Sequence, residues 1–466
     1  MASDPNLTHG QPSSGLGRLT VAVATVAMVG AAVAMFPLAA PVRAQDSSAP
    51  PWLPQLLGFQ VTAIGQWLPR FHSPYAGPNS LTGAGDQAVS HTYGLYLGSR
   101  ILAGLGAYVD LEMAKGKGVS REVGLGGLTN GDVIRQGSAD LGTGPYIARA
   151  FLRYTVRLHR DSAPIGRAQD QLPGSIPDRR LEVVAGKLAA SDLFDLNRYA
   201  NGTRLQFLNW GLFQNTAWDF AADTRGYTNG ITIAYVSPRW ALRAGSFQMP
   251  TAANGNVFDG DIGQARGDNV ELTLVPTHAG TVVRLLAYQN HARMGDYREA
   301  VARALARDTA PDIVADDQPG RRKYGFGLNA EQPVADSGET GVFLRLGWND
   351  GHTESFAFTE VDRHLSAGVQ LAGSHWARPA DRVGVAALVH GLSTDHRDYL
   401  ALGGRGFLLG DGRLTYGLEE VAEGYYRLQL GSYIEVSPDV QVIRHPGYNR
   451  DRGPAAVLSL RMNARY

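Results

Sequence analysis

The chain has 466 residues, with 43 Lys+Arg against 43 Asp+Glu and no cysteine. Zero formal charge argues against nucleic acid as a partner, which would require a basic excess, and without thiols there is no disulfide framework. The mean hydropathy of -0.17 excludes a bundle of membrane helices, each needing about 20 consecutive apolar residues. It does not exclude a membrane barrel, whose strands alternate apolar and polar residues and so average near neutral.

In chain order, Arg18 precedes an apolar run over 19–40, and Val42-Arg43-Ala44 offers a cleavage site before Gln45. Residues 1–44 read as a secretory signal peptide, with an uncleaved anchor as the alternative. Either one takes the rest of the chain out of the cytoplasm. Residues 45–57 are expected to be disordered, and 58–466 to form one domain.

Period-two alternation then recurs between clusters of Gly, Asp, Asn and Pro. Over 107–113, Val109, Leu111 and Met113 oppose Tyr108, Asp110 and Glu112. Over 147–158, Ala148, Ala150, Leu152, Tyr154, Val156 and Leu158 oppose Arg149, Phe151, Arg153, Thr155 and Arg157. A strand at 240–247 sets Trp240 and Leu242 against Ala241 and Arg243, and one at 269–274 sets Val270, Leu272 and Leu274 against Asn269, Glu271 and Thr273. Residues 296–307 break the pattern, with Tyr297, Val301 and Leu305 at helical spacing. They predict a short loop helix, solvated or acting as a constriction element. Over 342–349, Val342, Leu344, Leu346 and Trp348 oppose Phe343, Arg345, Gly347 and Asn349. The last strand carries Ala456, Leu458, Leu460, Met462, Ala464 and Tyr466 on one face.

Alternation of this kind fits a soluble sandwich or a membrane barrel. The export signal, the number of such strands without cysteine, and a final strand ending on an aromatic residue favour the barrel. Lipid leaves no partner for an open sheet edge, so the sheet must close. At roughly 25 residues per strand and loop, with strands of about 9–11 residues, the expectation is an all-β transmembrane antiparallel barrel of about 16 strands. A barrel of that size encloses a water-filled lumen.

The chemistry-bearing motifs sought are missing: no His-Glu-x-x-His, no Gly-x-Ser-x-Gly and no phosphate loop. The 12 histidines show no metal-ligand spacing. Asp192 with Asp195, and Asp219 with Asp223, are the candidate paired acids, but carboxylates this close in a loop usually shape turns. No catalytic residue, metal or cofactor is expected.

Several long segments carry a family resemblance. SDLFD (191–195), QFLNW (206–210), AWDFAADTRGYT (217–228) and DNVEL (268–272) resemble the carbohydrate-selective porins of Gram-negative outer membranes, the OprB-type family. So do FHSPYAGPNSL (71–81), KYGFGLNAEQ (323–332), FLRLGWNDGHTESF (343–356) and the Tyr297-x-x-Ala300 spacing. The resemblance spans about 59–466 and implies a 16-stranded porin passing glucose and related monosaccharides by passive diffusion. Sugars are then the transported partners, with outer-membrane lipid and the assembly machinery as the others.

A sugar channel must bind weakly, at about 4 kcal/mol or millimolar affinity, so that solute leaves as easily as it enters. Strand parity nominates Arg149, Arg153, Arg157, Arg243, Glu271, Arg345, Asp110 and Glu112 as lumen-facing. Trp218 is a candidate for sugar stacking or for packing, beside Trp210, Phe220 and Tyr227. Asp219, Asp223 and Arg225 are candidates for pinning that loop, and Trp348 for the aromatic girdle. The competing readings are a general or anion-preferring porin, an outer-membrane enzyme, and a secreted β-sandwich lectin.

Overall fold

The structure is a computed structural model that describes residues 54–133, 141–277, 279–357 and 359–466. The expected signal peptide therefore lies outside the described residues. In chain order the strands are β1 (Leu56–Leu68), β2 (Asp86–Leu102), β3 (Leu105–Gly116), β4 (Tyr146–Arg157), β5 (Ser162–Ile165), β6 (Gly174–Pro177), β7 (Arg180–Leu188), β8 (Thr228–Val236) and β9 (Trp240–Gln248). They continue with β10 (Arg266–Leu274), β11 (Val282–Met294), β12 (Gln318–Ala335), β13 (Thr340–Asn349), β14 (Arg363–Ala372), β15 (Arg382–Gly391), β16 (Glu419–Leu430), β17 (Ile434–Arg444) and β18 (Ala455–Arg465). All but β5 and β6 form one closed antiparallel barrel of 16 strands, each beside its chain neighbour; β5 and β6 make a separate two-stranded hairpin. β1 starts at Leu56, so the last two residues of the stretch expected to be disordered already belong to the barrel.

Closure joins the two ends of the chain. Gln60 pairs with Arg465 through to Trp67 with Leu458, and Tyr466 N–H donates to Phe59 O at 2.9 Å while Phe59 N–H donates back at 3.2 Å. A closed ladder leaves no unpaired edge, the condition for a sheet in hydrocarbon. The outer face is correspondingly apolar: Leu95, Val109, Ile231, Val270, Val342, Leu344, Leu365, Val385 and Val442 all project outward, exposed. Aromatic residues mark both rims. Trp348 stacks against Phe326 (6.0 Å) and meets Tyr324 edge-on (5.7 Å) at one end. Tyr466 lies against Phe59 (5.7 Å) and Tyr433 (5.8 Å) at the other.

One side chain departs from the strand parity read from sequence. Between β3 and β4 the register shifts, Asp110 pairing with Arg149 but Leu111 with Ile147. The extra residue, Ala148, is buried on the inner side against Ala189 and Tyr227 rather than facing outward. In β18, Met462 points out but is covered by Ala63, Ile434 and Val436 of the neighbouring strands.

The two ends of the barrel differ. At one, strands join through short turns such as 103–104, 237–239 and 431–433; at the other, through long connections at 117–145, 189–227, 295–317 and 392–418. The long connections include α1 (Trp210–Phe213), α2 (Tyr297–Arg307) and α3 (Thr394–Ala401). α2 is the helix expected from sequence, capped by the Asp296 side chain accepting from Glu299 N–H. It packs on α3, with Tyr297 stacked on His396 at 4.3 Å.

Candidate functional site

Much of the space inside the barrel is filled by its own chain. The connection 189–227 folds inward and is pinned to the wall by lumen-facing side chains. Arg345, fully buried on β13, pairs with Asp195 at 3.1 Å and donates to the carbonyls of Asp195, Ala200 and Leu212. Asp195 N–H donates to Glu271 at 2.7 Å, and Asn329 donates to the Asp195 carboxylate at 2.7 Å. Glu423 accepts from the backbone of Leu208 and Asn209. Arg461 donates to the carbonyls of Thr203 and Gln206. A buried charge costs least when paired and hydrogen-bonded; Arg345 meets that condition through Asp195 and three carbonyls of the inner segment, whereas Arg461 makes no ion pair among the described residues and keeps two of its nitrogens without an acceptor.

The aromatic stretch of this segment is packed rather than presented to solvent. Trp218 is 1% exposed, donates from its indole N–H to Asn269 at 3.0 Å, and meets Phe194 and Phe220. Asp219 pairs with Lys323 at 3.2 Å and accepts from Phe356 and Ala357 N–H. Asp223 closes a turn by accepting from Arg225 and Tyr227 N–H, and the Arg225 guanidinium lies over the Tyr146 ring at 4.4 Å.

Among the spaces left open is a cavity of about 820 Å³ along one side of the lumen, reaching from Gln60, Arg427 and Arg465 to Arg204, Arg225 and Tyr227. Part of its lining is a lattice of charge. Arg204, from the inner segment, pairs with Asp132 at 2.7 Å and Glu112 at 3.3 Å, and donates to the Tyr96 hydroxyl at 3.2 Å. Arg149, from β4, holds Asp192 through two hydrogen bonds of 2.7 and 2.8 Å and reaches Asp110 at 3.3 Å. Glu112 also accepts from the hydroxyls of Tyr227 and Tyr146. Burial and the adjacent Glu112 carboxylate raise the Tyr227 phenol, which keeps it a donor.

The residues nominated from sequence thus fall into separate groups. Arg149 and Glu112 border the cavity, and Asp110 stands directly behind them. Arg153 lies over the Tyr108 and Phe151 rings and donates to Asp170 O. Arg157 sits at the exposed end of β4. Arg243 pairs with Glu182 at 3.3 Å. Glu271 and Arg345 hold the inner segment. Arg204, Asp132 and Tyr96 were not nominated. Tyr96 was within reach of the period-two argument, since Thr92, Gly94, Tyr96 and Gly98 share a face of β2. Arg204 and Asp132 come from long connections, where no periodicity exists.

A closed 16-stranded barrel with an apolar belt, aromatic rims and a charge-lined interior cavity is a porin of the outer membrane. The chain matches the carbohydrate-selective porin OprB family over residues 87–466 and belongs to it, and it is a carbohydrate porin. The fold is similar to the high-pH structure of Pseudomonas putida OprB, at TM-score 0.65 and 16% identity, covering 88% of this chain and 94% of that one. The low-pH structure of the same protein matches at TM-score 0.41 and 12% identity over 88% and 92%. The anion-selective porin from Comamonas acidovorans matches at TM-score 0.46 and 10% identity over 88% and 99%. Among curated proteins none matches.

Proposed function

We propose that small sugars, glucose among them, cross this chain passively through the side passage, in contact with Arg149, Arg204, Glu112, Asp132 and Asp192. The observation that supports this reading is the lattice itself. Each guanidinium is locked between carboxylates, so donors and acceptors stand at fixed spacing along the cavity. A sugar can exchange hydration water for these groups one hydroxyl at a time. The interaction stays weak because the charges already satisfy one another. Of the other nominated residues, Arg153, Arg157, Arg243, Glu271, Arg345 and Trp218 support the passage without touching solute. Asp219, Asp223 and Arg225 shape the inner segment.

The chain acts as a channel rather than an enzyme. It reaches the outer membrane after cleavage of residues 1–44, with lipid around its apolar belt and the assembly machinery engaging its last strand. The test is liposome swelling across mono-, di- and trisaccharides with salt as control, on wild type and Glu112→Gln. Monosaccharide flux should exceed trisaccharide flux and change in the variant while the salt response persists. Equal exclusion of all sugars by a salt-permeable wild type would overturn the assignment of this passage.

A further inference from the structure

One connection at the short-turn end breaks the rule of its neighbours. Where 103–104, 237–239 and 431–433 simply reverse the chain, 158–179 carries the hairpin β5–β6 and folds its tip back into the barrel mouth. The tip is built to hold a shape: Ala168 and Gln171 exchange backbone hydrogen bonds of 3.1 and 3.2 Å, with Asp170 in the left-handed conformation (φ 55). It is also fastened to the wall. Gln169 donates to the Asp110 carboxylate at 2.7 Å, Arg153 donates to Asp170 O at 2.7 Å, and Arg167 donates to Leu57 O with its guanidinium over the Tyr466 ring.

The fastened tip stands between two spaces. Arg167, Ala168 and Gln169 border the passage of about 820 Å³. Gln169, Asp170 and Gln171 border a second cavity of about 260 Å³, and Arg149 and Asp192 belong to both linings. Across the passage, Arg427 borders the same cavity and makes no ion pair among the described residues. A solute leaving the charge lattice therefore meets a second set of donors, the Gln169 amide and the Arg167 and Arg427 guanidinia, which suit the hydroxyl and ring oxygens of a saccharide.

We propose that the 158–179 turn is a second sieve on the solute path, at the short-turn mouth, and that it sets the largest saccharide the channel admits. The inference rests on the reading that solute uses this passage. Withdrawing the tip would merge the two spaces and widen the exit.

The absence of cysteine makes a direct test available. Ala168→Cys in the full chain, reconstituted in a planar bilayer, is reacted with a bulky thiol-specific reagent, with Leu344→Cys on the lipid face as control. Modification at 168 should lower single-channel conductance roughly twofold, because one bulky group fills much of a narrow aqueous path, while modification at 344 leaves it unchanged. A second variant replaces 162–177 with Asn-Gly and should admit tri- and tetrasaccharides in liposome swelling. Complete labelling of Ala168→Cys, verified by mass, with unaltered conductance overturns the proposal, whether or not the shortened chain folds. Should labelling lower ion conductance in a channel that passes no sugar, the turn lies on the ion path but its role as a saccharide sieve falls together with the assignment of sugars to this passage.

Discussion

Two arginines on inner faces of the barrel lead opposite lives. Arg345 on β13 is sealed from solvent, spends its donors on Asp195 and on three carbonyls of the inner segment, and faces no open space. Arg149 on β4 is as well paired, yet borders the cavity with Asp192 beside it, itself a third exposed. The difference lies in what stands in front of each strand. The segment 189–227 packs directly on β13 in front of Arg345, whereas beside β1 to β4 it touches the wall only through side chains such as Arg204 and Asp192, and open space remains next to Arg149. Identical chemistry becomes a rivet in one region and a pore lining in the other.

Breaking the rivet should have the largest effect. Arg345→Ala leaves the buried Asp195 carboxylate without its cation and removes the guanidinium donor from the Ala200 and Leu212 carbonyls, and should cost about 3–5 kcal/mol, the usual penalty for unpairing a buried charge. The lowered unfolding temperature of the barrel in detergent, read by gel heat-modifiability, checks it. The neighbouring Leu344 faces lipid, and Leu344→Arg should cost about 2–4 kcal/mol near the midplane, read by the same assay, with single-channel conductance unchanged in the molecules that fold. At the pore lining the order of effects reverses. Arg204→Ala leaves Asp132 with Thr92 and Glu112 with Arg149 and Tyr227, so stability should fall by about 1–3 kcal/mol, less than at Arg345. Ion selectivity should move toward cations and sugar block of conductance should weaken, both read in planar bilayers.

The smallest effect concerns pH. Burial, together with the nearby Asp110 and Asp192 carboxylates, pushes Asp170 up to about 8, against the opposing pull of Arg149. Arg153 holds its carbonyl. An acid raised in this way favours the docked turn most when protonated. Its contribution is complete below about pH 4 and fades as pH rises through about 8. Conductance should therefore rise modestly as pH goes from about 4 to about 8, and Asp170→Asn should flatten the profile.

The barrel itself was legible because two solvents enforce it. Val342, Leu344 and Leu346 must meet lipid while Phe343 and Arg345 must not, and that demand writes a period of two into the sequence. The helix at 296–307 was legible from its spacing. The passage was only half legible. Periodicity ranks Arg149 and Arg345 alike, since both are polar residues on an inner face; only the course of 189–227 separates them. The aromatic cluster around Trp218 was readable as either stacking surface or packing, and its indole proves to be spent on Asn269. Arg204 and Asp132 lie on connections, whose placement depends on contacts far along the chain.

The single added residue at Ala148 has a consequence of its own. In a strand wall, inserting or removing one residue rotates everything beyond it by half a turn and would swap grease for charge along the remaining length. Here the slip is absorbed at a spot where a methyl group fits inside, so Arg149, Phe151 and Arg153 stay in phase with Asp110 and Tyr108. Length changes in this wall are therefore survivable at such joints and ruinous between them, and grafting loops onto this scaffold should be planned around the joints.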